Sequence, residues 1–421
     1  MLRGDLDEVV GGPCQHELLL PNVALAMLYQ PVWHEARDHA ARHGTADEEE
    51  AKCQTSCPPH LRILRPIGAY VIVALATTGL PSYVVAVIAR SWIVDRAILP
   101  HAVLGGARIA SVGGRIVAVD QPAAAAEAER LTGTLLPGFI DLQVNGAGGS
   151  SVDEATPEAL QTVAEAVYAG GATAFLPTLI TAPWSQLLEQ VRAVAAWIEQ
   201  WSPDGGATPG PGAEPLGLHL EGPFLTTPGA HPPEHFLDPT PERIDELLDA
   251  ARGKLRLITI GNARAGAAAA TKRLVAAGVT VALGHCDRGD GFKDCVDAGA
   301  KSVTHLFNVM GPLHHRDLGP AALALDDARV SCPIIVDGVH VAATMVRNAF
   351  QILGPDRTIL VTDAVAAAGM PDGTYPLAGM SVTKKDGVVR DQKNNLAGSA
   401  LTMAIAARNF LQTVETAGEW T

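Results

Sequence analysis

Four apolar runs in this chain end on residues that bind metals or move protons. Leu-His-Leu closes on Glu221, Val-Ala-Leu-Gly on His285, Ser-Val-Thr on His305 and Ile-Leu-Val-Thr on Asp363. Each run is short, apolar and bounded by turn residues, the pattern of a strand. Strands that finish on Glu, His, His and Asp need a fold in which their C-terminal ends meet. A parallel barrel meets that need, because all its strand C-termini open on one face. A single strand-end His is ordinarily structural, and a single strand-end Asp ordinarily caps the next helix. Four at matching positions point to a shared site.

The rest of the chain supports the barrel. Strand patterns fall at 135–144, 173–177, 216–221, 255–260, 279–285, 302–308, 333–340 and 358–363, and helical patterns at 157–169, 184–201, 241–251, 265–277 and 342–353. Eight strands with crossovers over about 230 residues suit a (β/α)8 TIM barrel, an α/β fold. An open doubly wound sheet would want a G-x-G-x-x-G turn after its first strand, and none is present. Before the barrel, 107–111, Gly113-Gly114 and 115–119 predict a β-hairpin. We therefore divide the chain into an N-terminal extension (1–92), the first part of a small β-sandwich domain (93–134) and the barrel (135–421).

With 421 residues, 48% hydrophobic and 18% charged, the chain can bury a large core. Its net charge of −14 argues against a nucleic-acid partner. An anionic substrate would therefore need a local basic pocket. The six cysteines show no disulfide or zinc-ribbon spacing, which fits reduced thiols in a cytoplasmic protein. Residues 68–89 are uncharged and long enough to span a bilayer. Thr77, Thr78, Gly79, Pro81 and Ser82 split them into two β-branched runs, so no membrane span is expected.

One carboxylate and two imidazoles leave an open position on a zinc-like ion, as catalytic sites require. Asp363 then stands as the acid/base. His314-His315-Arg316 follows the sixth strand and His340 ends the seventh, a pairing suited to phosphate. His231, on the loop after Glu221, is placed to polarise a carbonyl.

At these residues the chain resembles the N-acetylglucosamine-6-phosphate deacetylases of the amidohydrolase superfamily. The matching stretches run from Pro137-Gly138-Phe139-Ile140-Asp141-Leu142-Gln143-Val144-Asn145-Gly146 through 219–224 and Gly229-Ala230-His231 to Gly284-His285 and 304–310. They continue with His315-Arg316, Asp337-Gly338-Val339-His340, Thr362-Asp363-Ala364 and Leu396-Ala397-Gly398-Ser399. The resemblance implies metal ligation by Glu221, His285 and His305, acid/base catalysis by Asp363 and carbonyl polarisation by His231. It implies substrate contacts at Ala230, Asn308, Val309, Arg316, Asp337, Gly338, Val339, His340, Leu396, Ala397 and Gly398. It also implies a phosphosugar substrate and a homodimer. Many amidohydrolases hold a second metal with His-x-His after the first strand. Here the pair is Gln143 and Asn145, so one divalent ion is expected, zinc first, with iron, cobalt or manganese also suited to the donors.

Four departures from the family pattern stand out. The loop from Glu221 to Gly229 is about two residues short, and Gly261-Asn262-Ala263 replaces Ala-Pro-Glu. Residues 1–92 have no counterpart, and the chain stops before the strands that complete the small β domain, which predicts an unpaired edge and exposed apolar surface. Two other readings use the same residues: an amidohydrolase for another amide, and a truncated inactive paralogue serving as a binding scaffold.

Overall fold

The computed structural model describes residues 61–63, 70–75, 84–100, 102–112, 115–121, 128–201 and 211–415. The Gly113-Gly114 turn, three of the six cysteines and most of the extension lie outside them.

The leading part is one sheet of β1 (Leu61–Ile63), β2 (Tyr70–Leu75), β3 (Val84–Leu99), β4 (Ala102–Val112), β5 (Arg115–Asp120) and β6 (Glu129–Leu135). The first five pair in order, and β6 joins β3. The described residues of the uncharged 68–89 run thus form two antiparallel strands, β2 and the start of β3. Among the described residues no helix is long and apolar enough to cross a membrane. Val94, Ala97, Ala107 and Ile109 make a small core in this sheet. Ile116 and Val117, on β5, remain exposed.

The second part is the barrel. It opens with β7 (Phe139–Val144), a two-residue hairpin of β8 (Gly146–Ala147) and β9 (Ser150–Ser151), and helix α1 (Pro157–Ala169). There follow β10 (Ala172–Ile180), α2 (Trp184–Trp201), β11 (Glu214–Pro215), β12 (Leu218–Glu221), α3 (Pro241–Ala251), β13 (Leu255–Ile260), α4 (Ala267–Ala276) and β14 (Thr280–Leu283). The circuit ends with α5 (Phe292–Asp297), β15 (Ser302–Val303), α6 (Pro320–Asp326), β16 (Cys332–Ile335), α7 (Ala343–Arg357) and β17 (Thr358–Val361). Strands β7, β10, β12, β13, β14 and β15 pair in parallel, as do β16 and β17. Parallel bridges Ser302↔Ser331 and Val144↔Ala364 close the ring.

Local chemistry explains the elements. In α1, Thr156 caps the first turn by accepting from Ala159 N, and Pro157 occupies a position whose N–H would be unpaired anyway. Its buried Leu160, Val163, Ala164 and Val167 recur at helical spacing and face the barrel. In the strands, Leu218, Leu220, Ile258, Ile260, Val281, Leu283 and Ile334 are fully buried. They belong to one core cluster shared with the helices.

After β17 the chain adds an antiparallel trio of β18 (Gly373–Leu377), β19 (Met380–Lys385) and β20 (Val388–Arg390), then α8 (Met403–Glu415). Their turns place Ala378-Gly379 and Asp386-Gly387 at positive φ, the geometry of two-residue hairpins. Leu377, Val382 and Val389 pack with Ile180, Val365, Ala367 and Ala397. That satellite core presses 396–398 onto the chain just beyond Asp363.

Candidate active site

Register brings the four chemistry-bearing residues to one rim. Glu221 ends β12, opposite Ile180 and Thr259. His285, His305 and Asp363 each stand two residues beyond a strand, and all three have positive φ (49°, 30° and 50°). Non-glycine residues seldom hold that conformation, and where they do the surroundings enforce it. Here Ser399 N donates to Asp363 O at 2.8 Å, and Thr226 N and Thr227 N donate to His285 O at 3.1 and 2.8 Å.

Glu221, His285 and His305 form a buried cluster whose potential ligand atoms lie within 4.8 Å of one another. Glu221 Oε1 is 3.1 Å from His285 Nε2 and 2.9 Å from His305 Nε2, and the two nitrogens are 3.2 Å apart. His285 Nδ1 lies 3.1 Å from Thr227 O, which can only accept, so that nitrogen carries the proton. In the neutral ring Nε2 is then a bare lone pair aimed at a carboxylate oxygen. Such a contact is repulsive unless a cation lies between. Tetrahedral ligation at zinc-type bond lengths separates donor atoms by about 3.3–3.4 Å. The observed spacings sit just inside that value, so the donor set fits a divalent metal.

His231 completes the ring around Glu221. Its Nε2 is 3.4 Å from Glu221 Oε2, and its Nδ1 is 2.9 Å from Thr181 Oγ1. Gly229 makes this approach possible. It has φ +57°, and a Cβ there would lie 3.0 Å from Val309 Cγ2 and 3.2 Å from His285 Cε1. Burial opposes the Glu221 charge, but the close approach of the His231, His285 and His305 rings outweighs it and holds the carboxyl well below its usual range.

Asp363 behaves differently. Burial pushes its carboxyl up to about 6, and the Glu221 charge adds to this, while His305 and His340 pull it down. Gln143 Nε2 (3.0 Å) and Asn145 Nδ2 (2.7 Å) both donate to its Oδ1. Backbone bonds from Asn145 N and Gly146 N to Ala364 O tie the two strand ends together.

The expected substrate contacts divide into three groups. Ala230 and Ala397 share the satellite core with Val365, and a Cβ on Gly398 would lie 3.0 Å from Asp363 O. Asn308 turns its amide back onto His305 O at 3.2 Å, and Val309 touches the Gly229 loop. Asp337 folds the Gly338-Val339 turn, accepting from Val339 N and His340 N at 2.8 Å, and it meets His340 Nδ1 at 2.7 Å. Arg316 stands apart on the exposed 312–318 loop, and its guanidinium has no hydrogen bond or ion pair among the described residues. Asn262, in the substituted Gly261-Asn262-Ala263 stretch, donates to Arg288 O and Asp290 O at 2.7 and 2.9 Å. It braces a loop outside the cluster.

Sequence reasoning missed a polar layer beneath the Glu221, His285 and His305 cluster. His219 Nδ1 meets Thr178 Oγ1 at 3.3 Å, its Nε2 meets Thr259 Oγ1 at 3.0 Å, and Thr259 meets Thr304 at 2.7 Å. Burial pushes His219 down to about 4, so it is neutral. The signal was available: His219 precedes Glu221 by two residues and shares its strand face.

No protein-family model matches the chain. Among curated proteins it is 34% identical over 300 residues to the N-acetylgalactosamine-6-phosphate deacetylase of Escherichia coli O157:H7, spanning 70% of this chain and 77% of that protein. It is 36% identical over 279 residues to the N-acetylglucosamine-6-phosphate deacetylase of Vibrio furnissii, spanning 66% and 68%. The N-acetyl-D-glucosamine-6-phosphate deacetylase of Mycobacterium smegmatis, solved in complex with N-acetyl-D-glucosamine-6-phosphate, superposes with a TM-score of 0.72 at 36% identity, covering 77% of this chain and 84% of that one. The chain belongs to the N-acetylglucosamine-6-phosphate deacetylase family. These deacetylases are metal-dependent amidohydrolases, and Glu221, His285 and His305 are the candidate metal site of this member.

Proposed function

We propose that this chain hydrolyses N-acetyl-D-glucosamine 6-phosphate to D-glucosamine 6-phosphate and acetate. The observation that carries the reading is the meeting of Glu221, His285 and His305 with Asp363 on one barrel rim, in a member of this family. A divalent ion held by the first three residues supplies Lewis acidity for the acetamide carbonyl and the attacking water. We assign one ion, zinc before iron, cobalt or manganese, because Gln143 and Asn145 are poor ligands for a second.

Asp363 takes a proton from the water as its oxygen bonds to the carbonyl carbon. It returns that proton to the sugar nitrogen as the C–N bond breaks. A carboxyl raised to about 6 suits both steps near neutral pH. His231 offers Nε2–H to the carbonyl oxygen. Arg316 and His340 take the phosphate, and Asp337 orients His340 through its Nδ1. Ala230, Asn308, Val309, Gly338, Val339 and 396–398 shape the sugar pocket. A cytoplasmic homodimer belongs to the same proposal, and light scattering on the purified protein tests the dimer.

The galactosamine epimer is the second reading, favoured by the Escherichia coli relative. Amine release separates the two when N-acetylglucosamine 6-phosphate, its galactosamine epimer and unphosphorylated N-acetylglucosamine are compared. We expect the first to lead. Losing the phosphate should cost roughly 100-fold or more in kcat/KM, since each charged hydrogen bond is worth about 1.5–3 kcal/mol. Faster turnover of the galactosamine epimer overturns the epimer assignment. Equal turnover without phosphate overturns the phosphosugar.

A further inference from the structure

Gln143 lies near the end of β7 and Asn145 immediately follows the strand, two residues on. Both are buried, and both carboxamides reach across the barrel seam to one atom, Oδ1 of Asp363, at 3.0 and 2.7 Å. Among the described residues no protein donor reaches Oδ2. Asn145 Oδ1 is itself buried without a partner. Buried polar atoms in native proteins are ordinarily satisfied, and the exceptions gather where function requires them. Turning the Asn145 amide over would set its carbonyl against a carboxylate, so the chemistry of Asp363 fixes its orientation.

We propose that Gln143 and Asn145 are positioning residues for hydrolysis, gripping Oδ1 of Asp363 so that Oδ2 alone carries the proton between water and amine. The proposal rests on the deacetylase reading above. A carboxylate with two free oxygens can turn about its Cβ–Cγ bond and present either one. Two donors on Oδ1 remove that freedom, and the positive φ of Asp363 together with the Ser399 N bond to its carbonyl fixes the backbone below. The proton path is balanced. Oδ2 gains the water's proton as the O–C bond forms and loses it to nitrogen as C–N breaks. Oδ1 keeps its two hydrogen bonds throughout.

A purely structural role for the pair predicts lost stability with unchanged chemistry, or losses unrelated to Asp363. The test is a kinetic cycle on the metal-loaded full chain with N-acetylglucosamine 6-phosphate, using Gln143→Met, Asn145→Leu and Asp363→Asn. Each single amide substitution should lower kcat roughly tenfold, and the pair together roughly 100-fold, with KM and zinc affinity within about threefold of the parent. In the Asp363→Asn background the same substitutions should cost nothing further, because the group they position no longer moves a proton. Unchanged kcat in the folded single variants overturns the proposal. So does an undiminished effect in the Asp363→Asn background. Absence of acetate release by the unsubstituted protein is a separate result, which overturns the deacetylase reading instead.

Discussion

Glu221 carries the negative charge on which the site is built. One of its oxygens faces His285 and His305 and the other faces His231, so it meets three imidazoles from three different loops. Replacing it with Gln keeps the shape and removes the charge. Because changes to groups that merely orient a ligand cost about 10–100-fold in metal affinity, Glu221→Gln should lose more than about 100-fold. Equilibrium titration of the apoprotein with zinc measures this, and parental affinity would contradict the ligand assignment. At this scale the sequence was most legible where a residue ends an apolar run, as Glu221, His285, His305 and Asp363 do. It was least legible where the partner is remote in the chain. Nothing local in Gln143-Val144-Asn145 announces that both amides serve a carboxylate 218 and 220 residues away. Arg316 was singled out by its position after the sixth strand, and the structure places it on the exposed loop that follows that strand.

Strands and helices were legible in proportion to their length and periodicity. The amphipathic α1, α2 and α3 have the bounds their apolar spacing predicts, and the eight barrel strands occur in the expected order. The run at 302–308 gave only the two-residue β15, because His305 at positive φ turns out of the strand to build the site. The β18–β20 trio escaped notice, although Asp386-Gly387 is a hairpin signal. That trio matters through Gly398, which has φ +64° and would place a Cβ 2.3 Å from Val365 Cγ1 and 3.0 Å from Asp363 O. Gly398→Ala should therefore destabilise the fold by about 1–3 kcal/mol. Gly253→Ala has open space around it and only backbone strain to bear, so it should cost about 1 kcal/mol. Urea unfolding compares the two. Equal losses would show that 396–398 does not press on Asp363.

The whole molecule closes at the seam between β7 and β17, and Asp141 sits inside that seam. It accepts from Thr362 Oγ1 at 2.5 Å and from Thr362 N at 3.2 Å. Burial pushes its carboxyl up to about 7 against these bonds, far above the value of about 3.9 expected in an unfolded chain. The folded state therefore holds this proton more tightly than the unfolded state. Its stabilising contribution is complete below about pH 4 and disappears as pH rises through about 7. Urea unfolding of the metal-free protein at pH 5 and 7.5 should show lower stability at the higher pH. Asp141→Asn should flatten that difference, and an unchanged slope would remove Asp141 as its source.

In the proposed function the cluster of Glu221, His285 and His305 works with Asp363 as one amide-hydrolysing unit. The most direct measurement is acetate released from N-acetylglucosamine 6-phosphate by protein and by Asp363→Asn, both carrying equal measured zinc. We expect the unsubstituted protein to turn over. The variant should bind metal and substrate yet lose roughly 100- to 10,000-fold in kcat. A variant with full zinc and near-parental turnover would contradict the role of Asp363 in that unit.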